Sequence, residues 1–408
     1  MGRITSEKPN RVAVIGGGAA GLAAALAAAR GGACVTVFER NDRLGKKLLS
    51  TGNGRCNLTA QALDTERYRT HGGSVQPYLE RFGTKDTVRL FEEIGIPVIF
   101  RDGLGYPRCR EASAVRYALE QAVRESGVRV LTGTVIRSIR RDGTAFQIGD
   151  ERFERLILTC GGSAAPSSGS DGNGFALAES FGHRIIDPLP ALVPLCSSEP
   201  GCRQLAGIRA EGRADLLIGG KAAASERGEI QFTEYGLSGI PVFQFSGRAA
   251  EALTRGEACE ARVVLCEDLS EEELIRELSR RLRELPERET GNWLAGFLPH
   301  KLIPFVLKRA GVPLHRPLSS LKTAAAARTA AILRDLRFPL TAARGFEAAQ
   351  TTTGGVALSG IDEDLASRLI PGLFFAGEIL DVDGPCGGYN LQWAWTSGTL
   401  AGRAAARE

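Results

Sequence analysis

Short apolar runs separated by amphipathic stretches organise the first part of the chain. Two runs with the pattern of buried strands, Arg11–Ile15 and Cys34–Phe38, enclose the Ala- and Leu-rich stretch Leu22–Arg30, whose residues are strong helix formers. Farther on, apolar residues at helical spacing predict helices over Thr84–Ile94 and Ala112–Ser126. Strands that alternate with helices in this way are typical of a parallel sheet covered by helices.

A meander of strands is predicted next. Strand-like runs occupy Val128–Leu131, Thr134–Arg140 and Ala145–Ile148, and a further buried-strand pattern covers Leu156–Thr159. The earlier stretch Gly103–Arg110 is polar, aromatic and basic, so we expect a loop there. This order indicates an α/β domain whose crossover is a β-meander.

The pattern changes at a cluster of prolines near residue 190, which we interpret as a domain boundary. Beyond it, short strands separated by glycine turns precede amphipathic helices, so we expect an inserted β domain that carries helices. Predicted strands include Ala214–Ile218, Glu229–Phe232 and Val242–Phe245, and predicted helices are Ser270–Leu285, Gly291–Ala310 and Leu318–Leu336. The first pattern returns near the end, with a buried strand over Leu373–Glu378 and a helix over Asn390–Ala406.

Three glycines stand between the first strand and the first helix in the order G-x-G-x-x-G. Gly16 permits a tight turn, Gly18 lets the backbone approach a pyrophosphate, and Gly21 allows the helix and strand to pack closely. Glu39 ends the second strand, at the spacing where a carboxylate accepts hydrogen bonds from a ribose. A purely structural turn is the alternative. Because strand, glycines, helix, second strand and acid occur in register, we predict a dinucleotide site.

The residues after Glu39 favour FAD over NAD. Arg40 follows directly, and a basic segment that contains Lys47 leads into the glycine-rich stretch Ser50–Asn57. An acid–Arg pair with a basic, glycine-rich loop resembles the flavoprotein extension of the motif, in which the loop returns across the diphosphate toward the flavin. A carboxylate at the ribose also argues against a 2′-phosphate at this site.

A second glycine-rich segment follows the last predicted strand. That strand ends in Gly377 and Glu378, and a loop rich in glycine, with two aspartates and a cysteine, leads to a helix that begins near Gly388. The N–H groups at such a helix N-terminus suit an electron-rich atom, such as the pyrimidine oxygen of a flavin. An ordinary closing strand–helix unit explains the helix but not the composition of the loop.

Composition argues against several classes of protein. The 408 residues suit two or three domains, and a formal net charge of +4 without a basic tract gives no argument for nucleic acid binding. No apolar run is long enough to span a membrane and the first ten residues lack the apolar core of a signal peptide, so we expect a cytoplasmic protein. The nine cysteines include no C-x-x-C pair and no partner at zinc spacing, which predicts reduced thiols and no metal site.

Together these motifs resemble a known family, the BaiN-like or aminoacetone-oxidase-like bacterial FAD-dependent NAD(P) oxidoreductases. The resemblance spans nearly the whole chain and is carried by VIGGGAAGLAAA, GKKLLSTGNGRCNLT, GYPRCREASAV, CGGSAAPSSGSDGNGFALAESFGH, FTEYGLSGIPVFQFS, TTTGGVALSGID and GLFFAGEILDVDGPCGGYNLQWAWTSG. Many relatives have Thr-His where this chain has Thr233-Glu234, so a catalytic role of that His does not carry over. Many also have Pro where this chain has Ile240.

The resemblance implies an α/β fold in which a Rossmann-type FAD-binding domain is formed by residues 1–190 and 346–408. It further implies an inserted β-barrel domain of residues 191–266 and 319–345, carrying a helical subdomain of residues 267–318. The implied cofactor is FAD, with NADH or NADPH as co-substrate. Candidate FAD-binding residues from the motifs are Gly16, Gly18, Ala19, Ala20, Gly21, Glu39, Arg40, Lys47, Thr51, Gly52, Gly54, Arg55, Cys56, Asn57, Val135, Gly161, Gly377, Glu378, Gly388, Tyr389, Asn390 and Leu391.

Members of this family include reducers of conjugated C=C bonds in 3-oxo bile acids and enzymes assigned to amine oxidation. The resemblance therefore fixes the cofactor better than the substrate. We expect flavin-mediated reduction of an enone, with a steroid or bile-acid-like substrate suggested by the resemblance alone. A peroxide-forming amine oxidase and a non-catalytic flavin-binding redox sensor are the alternatives, and no second nucleotide fingerprint identifies an NAD(P)H site.

Candidates for a proton donor, or for a group beside a developing oxyanion, come from two aromatic, polar segments, Gly103–Arg110 and Phe232–Gly239. They are Tyr106, Arg108, Glu234 and Tyr235, and Tyr389 is a further candidate in the C-terminal segment. Each has an equally good structural role, because a Tyr in a glycine loop often packs and Glu234 suits a solvated turn.

Overall fold

The computed structural model describes residues 10–407, so the residues behind the expectation of no signal peptide lie almost wholly outside it. Nineteen strands and eleven α-helices lie within this range. The strands are β1 Arg11–Ile15, β2 Cys34–Phe38, β3 Thr59–Ala60, β4 Val98–Arg101, β5 Leu104–Pro107, β6 Arg129–Leu131, β7 Arg140–Asp142, β8 Ala145–Ile148, β9 Glu151–Phe153, β10 Arg155–Leu158, β11 Ile185–Ala191, β12 Leu195–Ser197, β13 Arg209–Ile218, β14 Lys221–Thr233, β15 Gly236–Ser238, β16 Cys259–Leu265, β17 Leu336–Ala343, β18 Thr351–Val356 and β19 Leu373–Phe375. The helices are α1 Ala19–Arg30, α2 Gln76–Arg81, α3 Thr84–Glu93, α4 Ala112–Glu125, α5 Asn173–Ser180, α6 Cys202–Leu205, α7 Ile240–Thr254, α8 Glu271–Glu284, α9 Ile303–Arg309, α10 Ala324–Arg334 and α11 Tyr389–Ala406.

The chain divides into two compact units. The first ends at Leu189 and resumes at Ala349, and the second spans Pro190–Ala348. The first unit therefore contains both glycine-rich segments, although they lie at opposite ends of the sequence.

A parallel sheet in the order β19-β10-β1-β2-β6 forms the centre of the first unit. Strand β1 pairs in parallel with β10 on one side and β2 on the other, so the strand that leads into Gly16 is the middle one. Val12 and Val14 are fully buried there, because both faces of the sheet are covered. For this reason apolar and polar residues do not alternate along β1. This sheet confirms the predicted Rossmann-type α/β domain.

Helices α1 and α11 cross the sheet with their backbones in unusually close contact. A Cβ at Gly398 would collide with the carbonyl oxygen of Ala20, and one at Gly402 would lie 2.9 Å from the Cα of Ala24. Only glycine permits this approach at either position. The last helix of the chain therefore fixes the position of the first.

Three small sheets complete the first unit. Strands β3, β5 and β4 form one antiparallel sheet, β7, β8 and β9 form the meander, and β11 pairs with β18. The first of these is important for the site, because β3 directly follows the Ser50–Asn57 segment and pairs with β5.

The second unit is a closed antiparallel barrel in the order β12-β15-β14-β13-β16-β17. The predicted β-barrel domain is thereby confirmed. The two longest strands, β13 and β14, turn at Gly219 and Gly220, both with positive φ, as a two-residue hairpin of right-handed twist requires. Aromatic and aliphatic residues fill the core of this unit, with Phe232, Phe245 and Phe338 almost fully buried.

The helices of the second unit pack on one another as well as on the barrel. Ser270 caps α8, because its hydroxyl accepts a hydrogen bond from the backbone N–H of Glu273. In return, the carboxylate of Glu273 accepts from the backbone N–H of Ser270. Trp293 is fully buried and donates from its indole nitrogen to the carbonyl of Leu278, 3.2 Å away. Helix α8 therefore begins with a complete capping box and is tied to the following segment.

Four predictions of local structure are wrong. Gly103–Arg110 contains strand β5 because Tyr106 and Gly105 pair with β4, and Thr134–Arg140 remains irregular until Arg140. Val242–Phe245 lies inside helix α7, whose start is set by Gly239 at φ +100° and a proline in the first turn. In place of the predicted helix Gly291–Ala310, the structure has only the short helix α9 and two short turns of 3₁₀-helix.

Two further features of residues 10–407 bear on function. No helix in this range combines the length and apolarity needed to cross a bilayer. Nor does this part of the chain bring three His, Cys, Asp or Glu side chains together as metal ligands.

Candidate functional site

The first predicted anion site is the N-terminus of α1. Gly18 is its N-cap, the helix has no side-chain cap and no acidic residue in its first turn, and a Cβ on Gly18 would meet no atom within 4 Å. The first N–H groups of the helix thus have neither an intrahelical partner nor a side-chain cap, which suits a pyrophosphate. Gly16 takes φ +109° beside the carbonyl of Thr159, which only glycine permits. The structure brings together the predicted residues Gly16, Gly18, Ala19, Ala20 and Gly21.

Glu39 holds this turn and retains capacity for a ligand. Its Oε2 accepts from the backbone N–H of Gly17 at 2.7 Å, and its Oε1 accepts from the backbone and side-chain nitrogens of Asn41, both at 2.7 Å. Three of about four acceptor positions of the carboxylate are thus used, which leaves one for a ribose hydroxyl. The carbonyl of Glu39 accepts from Thr134, which places the neighbouring Val135 at the same edge, with 42% of the residue exposed.

Arg40 does not stand free for a phosphate. It forms an ion pair with Asp171 at 2.5 Å and donates to the carbonyl of Gly169. The hydrogen bond to Asp171 raises the pKa of Arg40 and keeps it cationic. The predicted cofactor residue therefore fastens the loop before α5 to the end of β2. Gly161, in the same region, has φ +77° and lies against Ser170.

Lys47 and Glu378 form an ion pair across 331 positions of sequence, with Nζ 2.7 Å from Oε2. The other carboxylate oxygen accepts from the backbone N–H of Thr352 at 3.0 Å. Gly377 is held on both sides, since its N–H donates to Ser397 and its carbonyl accepts from the indole of Trp393. The two glycine-rich segments therefore meet at this pair.

The loop after Lys47 has an unusual backbone. Gly52, Gly54 and Cys56 all have positive φ, and so does Asn53 between them. The N–H groups of Arg55 and Cys56 close the loop by donating to the carbonyls of Gly52 and Thr51. The predicted residues of this loop are Thr51, Gly52, Gly54, Arg55, Cys56 and Asn57.

Two side chains of this loop have clear roles. Burial raises the pKa of the Cys56 thiol to about 11, so at neutral pH it is a packed thiol and not a nucleophile. Arg55 is exposed, and its guanidinium has no hydrogen-bond partner within residues 10–407. It is a cation available for the diphosphate.

Asn57 joins the loop to the last helix. With its amide oxygen toward Gly388, it accepts from the Gly388 N–H at 3.2 Å while its nitrogen donates to the carbonyls of Thr59 at 2.9 Å and Gly105 at 3.2 Å. One side chain thus ties together β3, β5 and the N-terminus of α11. Since Asn57 and Gly388 lie far apart in sequence, only the fold shows this contact.

The N-terminus of α11 resembles that of α1 in having an N-cap glycine, no side-chain cap and no acid in its first turn. Asn390 closes the preceding loop by accepting from the N–H of Gly384 and donating to its carbonyl. Tyr389 is buried, its ring against Tyr68, and its hydroxyl accepts from the N–H of Asp64. Its phenol is therefore structural, and the anion site at the backbone N–H groups of Tyr389, Asn390 and Leu391 stays a prediction.

Tyr106 lies on β5, one residue beyond the carbonyl that accepts from Asn57. The guanidinium of Arg110 stands over its ring at 5.6 Å, and Nε of Arg110 is buried with no partner among residues 10–407. Arg108 is exposed. The sequence analysis did not select Arg110, whose left-handed φ of +56° appears only in the structure.

Glu234 and Tyr235 belong to the second unit, where they form the two-residue turn between β14 and β15. Glu234 is exposed, and the ring of Tyr235 packs beneath Arg344, 4.5 Å from the guanidinium carbon. Their role as proton donors stays a prediction.

One titratable pair escaped the sequence analysis. His71 donates from its backbone N–H to Asp381 Oδ2 at 2.7 Å, and its ring Nδ1 lies 2.8 Å from Oδ1. Asp381 lies in the glycine-rich segment that precedes α11, but no sequence signal pairs it with a histidine 310 residues away.

The residues present fit FAD. The uncapped N-termini of α1 and α11, the spare acceptor position of Glu39 and the exposed Val135 are the groups that would meet the diphosphate, the flavin pyrimidine ring, the ribose and the adenine. A Cβ at Gly18 would meet no described atom within 4 Å, whereas one at Gly17 would meet the side chains of Leu44 and Glu39.

Comparison with known proteins gives the family. Residues 10–404 match the family model described as HI0933-like protein Rossmann domain. A 3-dehydro-bile acid delta(4,6)-reductase of Clostridium scindens is 39% identical over 407 residues, which cover 97% of this chain and 99% of that protein. Ribosomal RNA dihydrouridine synthases of Haemophilus influenzae and Escherichia coli are 28% and 27% identical, each over 94% of this chain and 95% of their own length.

These matches confirm the resemblance that the motifs indicated. They extend over both units rather than over the dinucleotide motif alone. The chain therefore belongs to the HI0933-like family of Rossmann-domain flavoproteins.

Proposed function

We propose that the protein is an FAD-dependent reductase that uses NADH or NADPH to saturate a conjugated C=C bond of an enone, with a 3-oxo steroid or bile-acid-like compound as substrate. The observation that carries this proposal is the 39% identity to a bile-acid delta(4,6)-reductase over almost the full length of both chains. The donor set of the first unit, which fits FAD, supports it.

Different residues of the first unit would contact different parts of the cofactor. Glu39 would accept from the adenosine ribose, the N-termini of α1 and α11 would face the diphosphate and the flavin pyrimidine ring, and Glu378 would lie near the ribityl chain with Lys47 as its partner. The chemistry that a bound FAD would supply is hydride transfer, with NAD(P)H as the reductant.

Two tasks then remain for the protein itself. When a hydride adds to the β-carbon of an enone, the π electrons move toward the carbonyl oxygen, and a hydrogen-bond donor there stabilises the enolate. A proton must also reach the α-carbon. Tyr106 suits the first task, because a phenol donates at neutral pH and its ring is already positioned by β5 and Arg110.

A second candidate is reduction of a uracil ring in ribosomal RNA. Two relatives named as ribosomal RNA dihydrouridine synthases support it, since each matches 94% of this chain. The C=C bond of uracil is conjugated to a carbonyl, so the same hydride and proton transfers apply. The lower identity of these relatives places this candidate second.

Anaerobic stopped-flow spectroscopy tests the proposal. The flavin released by heat should be FAD by chromatography, and bound flavin should bleach with NADH or NADPH. A 3-oxo steroid enone should then restore the oxidised spectrum. If a ribosomal RNA transcript restored the oxidised spectrum and enones did not, the second candidate would be supported. If neither restored it and amines gave peroxide, both candidate functions would be refuted.

Replacing Tyr106 with Phe should slow re-oxidation of the reduced flavin by an enone at least tenfold. A hydrogen bond to a developing charge contributes about 1.5–3 kcal/mol, and each 1.4 kcal/mol corresponds to a tenfold change in rate. Reduction by NAD(P)H should change little, because that step does not involve the enone oxygen. Tyr117→Phe, an exposed tyrosine of α4, is the matched control. If the reduced flavin of Tyr106→Phe were re-oxidised by the enone at the wild-type rate, this role of Tyr106 would be ruled out.

A further inference from the structure

A cavity of about 390 Å³ lies among three helices of the first unit, α1, α3 and α11. Its lining residues recur at helical spacing, such as Ala23, Ala27 and Arg30 on α1 and Thr399 and Arg403 on α11. Each helix therefore contributes one face to the wall. The volume lies within the range of about 300–1,000 Å³ that is usual for small-molecule sites.

The cavity is separate from the predicted cofactor site. At 1.5 Å per residue, Thr399 lies about 16 Å along α11 from its N-cap Gly388. On α1 the cavity extends to Arg30, the last residue of the helix, whereas the cofactor motif lies at its start. A molecule bound here would thus occupy space that FAD does not need.

The inner wall of the cavity is apolar. Leu26 is 1% exposed, Phe82 2% and Leu90 8%, and all three line the space. The small side chains of Ala23 and Ala27 leave room between the helices. Burial of apolar surface therefore favours a ligand with an apolar body.

Two guanidinium groups at the cavity lack an acidic partner. Arg89 is exposed and has no hydrogen-bond or ion-pair partner within residues 10–407. Arg403 is also exposed, and its guanidinium lies over the ring of Phe82, 5.5 Å from the centroid, without an ion pair in that range. Both cations can therefore meet an anion.

The two acidic residues of the lining already have other contacts. Glu93 forms an ion pair with Arg30 at 2.9 Å. Oδ2 of Asp86 accepts from the backbone N–H of Gly83 at 3.0 Å, and its charge lies at the N-terminus of α3, whose dipole it offsets. Neither acid neutralises Arg89 or Arg403, so the cavity favours a negative charge.

Thr399 supplies an unsatisfied polar group. It is 4% exposed, and its hydroxyl is buried without a hydrogen-bond partner in the part of the chain that the structure describes. Such a hydroxyl in a helix often donates to the carbonyl one turn earlier, as Ser397 does to Trp393. A buried polar group without a partner costs free energy, so a polar ligand atom at Thr399 would be stabilising.

We propose that this cavity binds a carboxylate attached to an apolar chain or ring system. The apolar body lies on Leu26, Phe82 and Leu90, and the carboxylate meets the guanidinium groups of Arg89 and Arg403 at the rim. An uncharged apolar molecule leaves both cations without a partner, and a cationic one is repelled by them. Because α1 and α11 form two of the walls, the bound molecule also stabilises their packing.

Isothermal titration calorimetry of the full-length protein with decanoate, below its micelle-forming concentration, tests the proposal. Decan-1-ol and decyltrimethylammonium are the uncharged and cationic counterparts with the same chain length. We expect decanoate to bind at least tenfold more tightly than either, because only it pairs with the guanidinium groups. No binding of decanoate, or equal binding of decan-1-ol, would overturn the proposal.

Replacing the two cations separates charge from packing. Arg403→Met keeps an apolar stem over Phe82 but removes the charge, so decanoate should bind about tenfold more weakly while decan-1-ol binds as before. Arg89→Met should have the same effect. Lys85→Met, an exposed cation of α3 outside the cavity, is the control. Wild-type affinity of both arginine variants for decanoate would contradict the proposed pairing.

Two further variants locate the bound molecule. Ala27→Phe fills the cavity from a half-buried position and should abolish binding of decanoate and decan-1-ol alike. Thr399→Val removes the hydroxyl but keeps the shape, so decanoate should bind roughly threefold more weakly while the Tm of the ligand-free protein does not fall. Unchanged binding by Ala27→Phe would place decanoate elsewhere and overturn the proposal. A lower Tm of Thr399→Val would show that the protein itself satisfies this hydroxyl, which would contradict its role in the site.

Discussion

Glu39→Ala should yield a folded protein that loses its flavin on dialysis. We propose that the carboxylate is the charged acceptor for the ribose, and a hydrogen bond to a charged group contributes about 1.5–3 kcal/mol, which corresponds to a tenfold to hundredfold weaker FAD complex. The mutation also frees the N–H groups of Gly17 and Asn41, which loosens the turn that presents α1. Flavin fluorescence titration of the apoprotein measures the dissociation constant.

Asp42→Ala is the control for this experiment. Asp42 lies three residues from Glu39, is exposed and pairs only with its neighbour Arg43 among residues 10–407. It should retain wild-type FAD affinity. Equal flavin retention in Glu39→Ala and wild type would show that Glu39 does not bind the ribose.

Gly402→Val should destabilise the first unit by about 1–3 kcal/mol or more, the range for a side chain forced into a filled space. The new Cβ would collide with the backbone of Ala24, so α11 must move away from α1. Both helix N-termini that face the cofactor would shift. The temperature at which bound flavin is released, read by its fluorescence, reports the effect.

Gly291→Val provides the comparison, because a Cβ at Gly291 meets no atom within 4 Å. That variant should release flavin at the wild-type temperature. An unchanged release temperature for Gly402→Val would mean that the two helices separate without loss of the site.

Local sequence patterns predicted the parts of the site that lie within one segment. Gly16, Gly18 and Glu39 belong to a single strand–helix–strand unit, so their spacing alone carries the geometry. The same holds for the strand, loop and helix that contain Gly377 and Gly388. In each case the backbone of one short stretch determines where the functional groups lie.

Contacts between distant segments were beyond the reach of these patterns. Lys47 and Glu378 were each selected as cofactor residues, yet nothing in either segment indicated that they pair. Arg40 was selected for its position after Glu39, but Asp171 is its partner. The contact of His71 with Asp381 was missed because the last part of the chain supplies the carboxylate.

The wrong local predictions have physical causes of the same kind. Val242–Phe245 is apolar and aromatic, which favours a strand, but Gly239 and Pro241 begin a helix whose buried face requires those residues. Residues 134–139 have the composition of a strand, but the N–H groups of Gly133 and Thr134 bond to Asn41 and Glu39 instead of to a sheet.

The interrupted first unit has a consequence for synthesis on the ribosome. Its sheet lacks β19, and α1 lacks α11, until the residues after Ala349 have been made. At about 5–20 residues per second, the 159 residues of Pro190–Ala348 take roughly 8–32 s. During that time the barrel emerges as a continuous segment able to close on itself, while the apolar strands made first have no complete core. Nascent chains paused in this window therefore expose apolar strands that a chaperone would have to protect, and the first unit can be completed only after the last helix leaves the ribosome.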